Sequence, residues 1–234
     1  LASSRSFLAP SRGVLARLGP ARATDSDNTR QLRATLLLLV GAYGNAPKVI
    51  AQAREIANQY LGNPESVDAT LGHAALAVTA RTGDAAWFDR LQNVYETSGN
   101  PDIKTTALRL LAEFRSPDLV RRALAYAASP RVRNQDAGIQ FAMSLADDTT
   151  RNVAWEYMKS HWDQVQAQLT TSSGESLVAY TGYFCSPAAA ATVKNFFATH
   201  PVGANDGSLR HALEHVDGCA EFRSMQGRNF TDWL

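Results

Sequence analysis

An all-α fold, arranged as a superhelical stack of HEAT/armadillo-like helical hairpins, is the class this sequence predicts. Three observations predict it. Apolar residues recur at helical spacing almost throughout, while Val, Ile and Thr never alternate over a strand-length segment. Turn signals return roughly every 12–20 residues, so the helices are short and closely connected. Pro47, Pro64, Pro101, Pro117, Pro130 and Pro187 stand near the starts of successive apolar stretches, where a missing N–H costs a helix nothing.

The elements follow in order. Spacing and punctuation predict helices over 28–42, 46–61, 64–81, 84–97, 101–113 and 117–128, then over 131–146, 149–169, 173–183, 186–199, 207–217 and 219–233. Asp25-Ser-Asp-Asn28 supplies side-chain acceptors for the free N–H groups of the first long helix, and Gly41 and Gly44 are expected to end it through left-handed backbone. Asn63, Asn100, Ser116, Ser129 and Ser186 each precede one of the prolines and are N-cap candidates. Thr170-Thr-Ser-Ser-Gly174 is the expected flexible break. Residues 1–24 read as an N-terminal linker with a short helical segment, in which Phe7, Leu8, Val14, Leu15 and Leu18 can form an apolar face. Residues 25–234 read as a single domain. Its hairpins each bury an apolar stripe against the next, leaving a concave inner face.

Composition narrows the function classes. The chain has 234 residues, 45% hydrophobic and 19% charged, which supports a sizeable core. A net charge of +1 gives no footing for nucleic acid or an acidic membrane surface as partner. The longest strongly apolar run, Leu36 to Val40, is far short of the roughly 20 residues that span a bilayer. The chain starts at Leu1 rather than Met, as a piece of a longer polypeptide would. Two cysteines, Cys185 and Cys219, make no zinc-ribbon spacing, and the expectation is two free, largely buried thiols.

Several residue patterns carry chemistry and are weighed in turn. His211-Ala-Leu-Glu214-His215 fits H-x-x-E-H, in which two His four apart could grip zinc beside a Glu base. A third protein ligand is needed, and Glu221 and Asp232 are poorly placed for it, so no metal is assigned to this chain. His73, His161 and His200 are isolated and read as surface or capping residues. No G-x-S-x-G elbow and no Gly-rich phosphate loop occurs. Trp155 and Trp162, seven apart, fall on one helix face and read as core, as do Val193, Phe196 and Phe197. Asn229-Phe-Thr231 fits the N-glycosylation pattern. Arg131-Val-Arg133-Asn-Gln135-Asp136 is expected to open a helix. Its plain reading is a solvated turn with local ion pairs worth under ~1 kcal/mol, and its functional reading is a patch, Arg131, Arg133 and Gln135 with Arg151 as a further candidate, that holds a peptide's C-terminal carboxylate.

A family resemblance rests on fragments spread over residues 14 to 234. Arg17-Leu-Gly19, Leu32-Arg33 and Val132-Arg133-Asn-Gln135-Asp136 come first. Then follow Trp155 and Trp162, Val193-Lys194 with Phe196-Phe197 and His200-Pro201, Leu209 to Val216, and Trp233-Leu234. In this order they resemble the C-terminal helical domain of M1-family zinc aminopeptidases, nearest the puromycin-sensitive type. Pro20, and Cys219-Ala-Glu-Phe222 near the end, depart from the family pattern. The catalytic G-x-M-E-N and H-E-x-x-H motifs do not occur in this sequence. The resemblance therefore implies a non-catalytic domain with zinc expected in a catalytic domain upstream. The implied partners are the N-terminal and catalytic domains of the same polypeptide, together with peptide substrates. The rival reading from another class is a stand-alone helical scaffold that binds a peptide or protein on its concave face.

Overall fold

The computed structural model describes residues 8–202 and 206–233, with side chains described for 8–202 and 207–227. Phe7 of the N-terminal apolar face, the Asn229–Thr231 side chains and Trp233-Leu234 lie outside those bounds. The described residues are all-helical, with thirteen α-helices and no strand. They divide into two compact units, Leu1–Phe114 and Arg115–Leu234.

The first unit holds α1 (Ala9–Leu18), α2 (Asp27–Leu38), α3 (Pro47–Gly62), α4 (Ala69–Arg81), α5 (Ala85–Thr97) and α6 (Pro101–Leu110). Ser26 caps α2 by accepting from the Thr29 N–H at 3.3 Å. Asp68, Asp84 and Asn100 cap α4, α5 and α6 in the same manner. The central element is α4, packed against α2 and α3, with Leu71, Ala75, Leu76, Val78 and Ala80 all buried.

Small residues let these helices approach closely. A Cβ on Gly72 would sit 2.5 Å from Tyr60 Cδ2, and one on Gly41 would sit 2.7 Å from Val78 Cγ1. Gly41 is therefore there for packing and not for chain termination, which corrects the sequence expectation. The first long helix instead widens into a π-turn, Leu39–Tyr43, and the left-handed residue after it is Asn45, with φ of 46°. Gly44 has an ordinary φ of −80°. The entry to the unit is held by Arg33, only 6% exposed, which pairs with Asp25 at 2.7 Å and donates to the carbonyls of Leu18 and Gly19.

The second unit holds α7 (Pro117–Ala127), α8 (Asn134–Ala146), α9 (Arg151–Ser160), α10 (Trp162–Ala167), α11 (Thr171–Tyr180), α12 (Pro187–Thr199) and α13 (Asp206–Trp233). Here α8 is central, packed against α7, α9 and α11. Trp155 and Trp162 are buried as expected, although they do not share one continuous helix. The predicted 149–169 helix breaks at His161, whose ψ of 31° leaves the helical range. The break swings Trp162 against Phe196 at 5.0 Å between centroids, while Trp155 meets Phe196 from its own side at 5.1 Å. Phe184 and Phe197 complete this aromatic cluster.

Further expectations are corrected in this unit. Thr170–Ser173 is a reciprocal capping box at the start of α11 and not a break. The predicted helices 207–217 and 219–233 are one, because Gly218 interrupts neither hydrogen bonding nor packing. Cys185 and Cys219 are not free thiols but a disulfide, with Cα atoms 5.1 Å apart and a sequence separation of 34. Cys185 is half-buried and Cys219 exposed. Closing a loop of that length is worth roughly 3–4 kcal/mol in the chain-entropy account.

Candidate functional site

The Arg131–Asp136 segment is a turn before it is a helix. Ser129 Oγ donates to the Tyr126 carbonyl at 2.7 Å, and the Val132 N–H reaches the Ser129 carbonyl at 3.2 Å. Val132 is buried at 1% exposure, which pins the turn to the unit and delays the start of α8 to Asn134. The helix predicted from 131 therefore begins three residues later. Its flanking residues are turned outward, and Arg131, Arg133 and Gln135 are all exposed. Gln168 Nε2 donates to the Ser129 carbonyl at 3.1 Å and Asn134 Nδ2 to the Ala167 carbonyl at 3.4 Å, so the end of α10 braces the turn.

Arg133 Nε pairs with Asp136 at 2.7 Å while its side chain stays 69% exposed. The three candidates thus gather at the N-terminal end of α8. There the helix dipole also favours an anion, and Asp136 already stands in that first turn.

Arg151 lies elsewhere. It opens α9, and its Nε and Nη2 donate to the carbonyls of Leu145 and Ala146 at 2.7 and 2.8 Å. Those carbonyls close the C-terminal end of α8, so the length of that helix, about 20 Å at 1.5 Å per residue, separates Arg151 from the other three. The guanidinium also lies 5.9 Å from the ring centroids of Tyr183 and Phe184. Burial pulls its pKa below the ordinary arginine value, while Asp148 and Asp147 oppose the shift. Two buried carbonyl bonds and two rings could not be read from a lone Arg in the sequence. The only signal was its place just before Trp155.

The H-x-x-E-H pattern lies on α13. His211 Nδ1 faces Glu214 Oε2 at 3.2 Å, the His211 side chain is 67% exposed, and Arg210 approaches the other Glu214 oxygen at 3.9 Å. Glu214 serves its helix neighbours, and among the described residues no three His, Cys, Asp or Glu side chains converge as a zinc site requires.

The isolated histidines do local work. His73 bonds Tyr60 Oη at 3.1 Å. His161 stacks on Tyr157 at 4.2 Å where α9 ends. His200 stacks on Phe196 at 4.2 Å at the end of α12.

One feature of the first unit escaped sequence reasoning, a groove of about 1430 Å³. Arg12, Leu15 and Arg22 line one wall, and Gln52, Ile56 and Gln59 of α3 line the other. Its signal was the basic, acid-poor composition of residues 1–24, which the sequence gave no reason to place beside α3.

The described residues, all-helical and with the candidate arginines at helix ends, define a helical domain. The chain belongs to the ERAP1-like C-terminal domain family, which it matches over residues 9–218. It is accordingly a non-catalytic C-terminal domain of the M1 aminopeptidase kind. It is 26% identical over 204 residues to the mitochondrial aminopeptidase 2 of Saccharomyces cerevisiae, covering 86% of this chain and 21% of that protein. It is 26% identical over 204 residues to the alanine/arginine aminopeptidase of the same yeast, covering 86% and 24%. It is 23% identical over 217 residues to aminopeptidase 2 of Candida albicans, covering 91% and 23%. The chain thus spans about a fifth to a quarter of the length of these relatives.

Proposed function

We propose that this domain shapes and closes the peptide chamber of a zinc-dependent aminopeptidase, whose catalytic residues lie in other domains of the same polypeptide. The observation that carries the reading is the family match over residues 9–218, on a chain covering only 21–24% of its yeast aminopeptidase relatives. In that enzyme zinc supplies an activated water for attack on the N-terminal peptide bond. This chain's residues act by exclusion and binding. A helical wall that covers the metal keeps folded proteins out, admits peptides and sheds bulk water as it closes.

In this reading the helices within each unit pair as HEAT/armadillo-like hairpins, supported by α4 packing on α2 and α3 in the first unit and α8 packing on α7, α9 and α11 in the second.

Within that chamber Arg131, Arg133 and Gln135 hold the substrate's C-terminal carboxylate. Arg presents a planar fork that matches a carboxylate, and the α8 dipole favours an anion behind it. Asp136 holds Arg133 by Nε and so orients the fork. Arg151 contributes from the far end of α8, where it caps the helix that carries the patch.

The test is Arg133→Glu in the whole polypeptide. KM for peptides should rise about fivefold, the equivalent of ~1 kcal/mol for an exposed charge pair. Hydrolysis of single-residue chromogenic substrates, which have no distant carboxylate, should not change. An equal effect on both substrate classes would remove the patch from the account.

A further inference from the structure

The groove of the first unit has an apolar floor and one cationic end. Leu37 and Leu71 are buried beneath it, and Leu15, Val49 and Ile56 stand half-buried on its walls. Apolar side chains left half wet in a concave site gain by being covered. Much of the charge along the groove is already matched within it. Arg30 pairs with Asp68 at 3.6 Å, and Arg33 pairs with Asp25 at 2.7 Å.

The end at the start of α3 differs. Arg12 Nη2 donates to the Gly44 carbonyl at 2.9 Å, three residues before α3 begins, and Lys48 is the second residue of that helix. No carboxylate pairs with Arg12 among the described residues, and its Nε is buried without a protein partner. No side chain caps α3 and no acid stands in its first turn, so nothing there offsets the positive end of its dipole. The other acids that line the groove, Glu55 and Glu65, stand two turns along α3 and past its far end.

We propose that this groove binds a short apolar peptide, with its C-terminal carboxylate at Arg12 and Lys48 and its backbone laid along α3. An anion at that end meets the charge that the groove leaves unmatched. Two features select a peptide over other apolar carboxylates. Gln52 and Gln59 line the groove, are exposed, and share one face of α3 with Val49 and Ile56. Their amides can donate to and accept from a peptide backbone, which an alkyl chain would leave unanswered. The dimensions agree. From Lys48 to Gln59 the helix advances about 17 Å at 1.5 Å per residue, the span of about five extended residues at ~3.3 Å each. The volume of about 1430 Å³ also exceeds the roughly 300–1,000 Å³ typical of sites for one small ligand. The inference does not rest on the chamber reading, since the groove lies within the first unit and Arg131, Arg133 and Gln135 lie in the second.

Fluorescence anisotropy tests it, with the 234-residue chain titrated into an N-terminally labelled pentapeptide of alternating leucine and alanine. The free-acid peptide should saturate with a Kd on the order of 10–100 μM, and its C-terminal amide should bind about tenfold more weakly. Lys48→Glu, at an exposed position, should weaken binding about fivefold or more and leave the circular dichroism unchanged. Arg133→Glu should leave binding unchanged, which separates this groove from the patch on α8. No saturation by about 1 mM, equal binding of acid and amide, or no effect of Lys48→Glu would each overturn the proposal. So would weakening by Arg133→Glu, which would move the peptide to the second unit. Displacement of the peptide by equimolar laurate would overturn it too, because an alkyl carboxylate would then be the better ligand.

Discussion

The two units use one plan, short helices joined by capped turns, and differ in how far their aromatic rings gather. Both bring helices together at glycines: Gly138 meets Ser173 and Gly174 meets Val202 in the second, and the first does the same while its rings meet in pairs such as Phe88 and Phe114. Gly41 faces Val78, Gly72 faces Tyr60, and Ala53 and Ala57 are fully buried in α3. In the second, the core around α9 and α12 is a cluster of large rings, Trp155, Trp162, Phe184, Phe196 and Phe197, and a disulfide closes one side. The lesson is that the second unit adds a large ring cluster to the close glycine contacts that both units share. Close packing of small residues tolerates no added volume, whereas a ring cluster tolerates no lost volume.

The sharpest way to break this contrast is Trp155→Ala. It removes the ring that meets Phe184, Phe196 and Phe197 together, and it should destabilise the second unit by roughly 3–5 kcal/mol. Urea unfolding followed by amide exchange should show the loss in residues 115–227 and not in α4. Reduction of Cys185–Cys219 comes next, with up to about 3–4 kcal/mol available from the loop that the bond closes. Again the first unit should be unaffected.

Gly72→Ala probes the first unit from the other direction. The added methyl meets Tyr60 at 2.5 Å, and Tyr60 must move or α3 must shift, at a cost of about 1–3 kcal/mol. A stabilising result would mean that Gly72 marks no close approach. Cap removal should erase the contrast between the units. Asn100→Ala at α6 and Ser186→Ala at α12 should each cost about 1 kcal/mol, because a cap acts on its own helix end whatever core lies behind it.

The smallest effect is one of pH. The Arg22 backbone N–H, then Arg33, hold the Asp25 carboxyl below its ordinary 3.8. A lowered folded-state pKa means that the contribution is fully present above about that value. It is lost as pH falls from there through the folded-state value, since only then does the folded state take up the proton. Acid titration of the first unit should show this loss, and Asp25→Asn should abolish it.

Much of the fold was legible because its punctuation is chemical. Pro47, Pro101, Pro117 and Pro187 each occupy a first helical turn, and Asn100 and Ser186 cap as their residue types require. What the sequence hid was long-range. Gly41 looked like a helix end because its neighbour Val78 is 37 positions away. Cys185 and Cys219 looked like buried thiols because spacing alone gives no sign that the α11–α12 connection meets the middle of α13. Of the candidate site, the sequence carried residue types and their order: Arg131, Arg133 and Gln135 are exposed beside buried Val132 at the start of α8. Arg151 was drawn into the same set by residue type, but the length of α8 separates it from them.

The central claim, that this domain is the helical cover of an aminopeptidase, is tested most directly by reading the frame upstream of the codon for Leu1. The account predicts an in-frame G-x-M-E-N followed by H-E-x-x-H and a downstream Glu. An upstream frame without those motifs would contradict it.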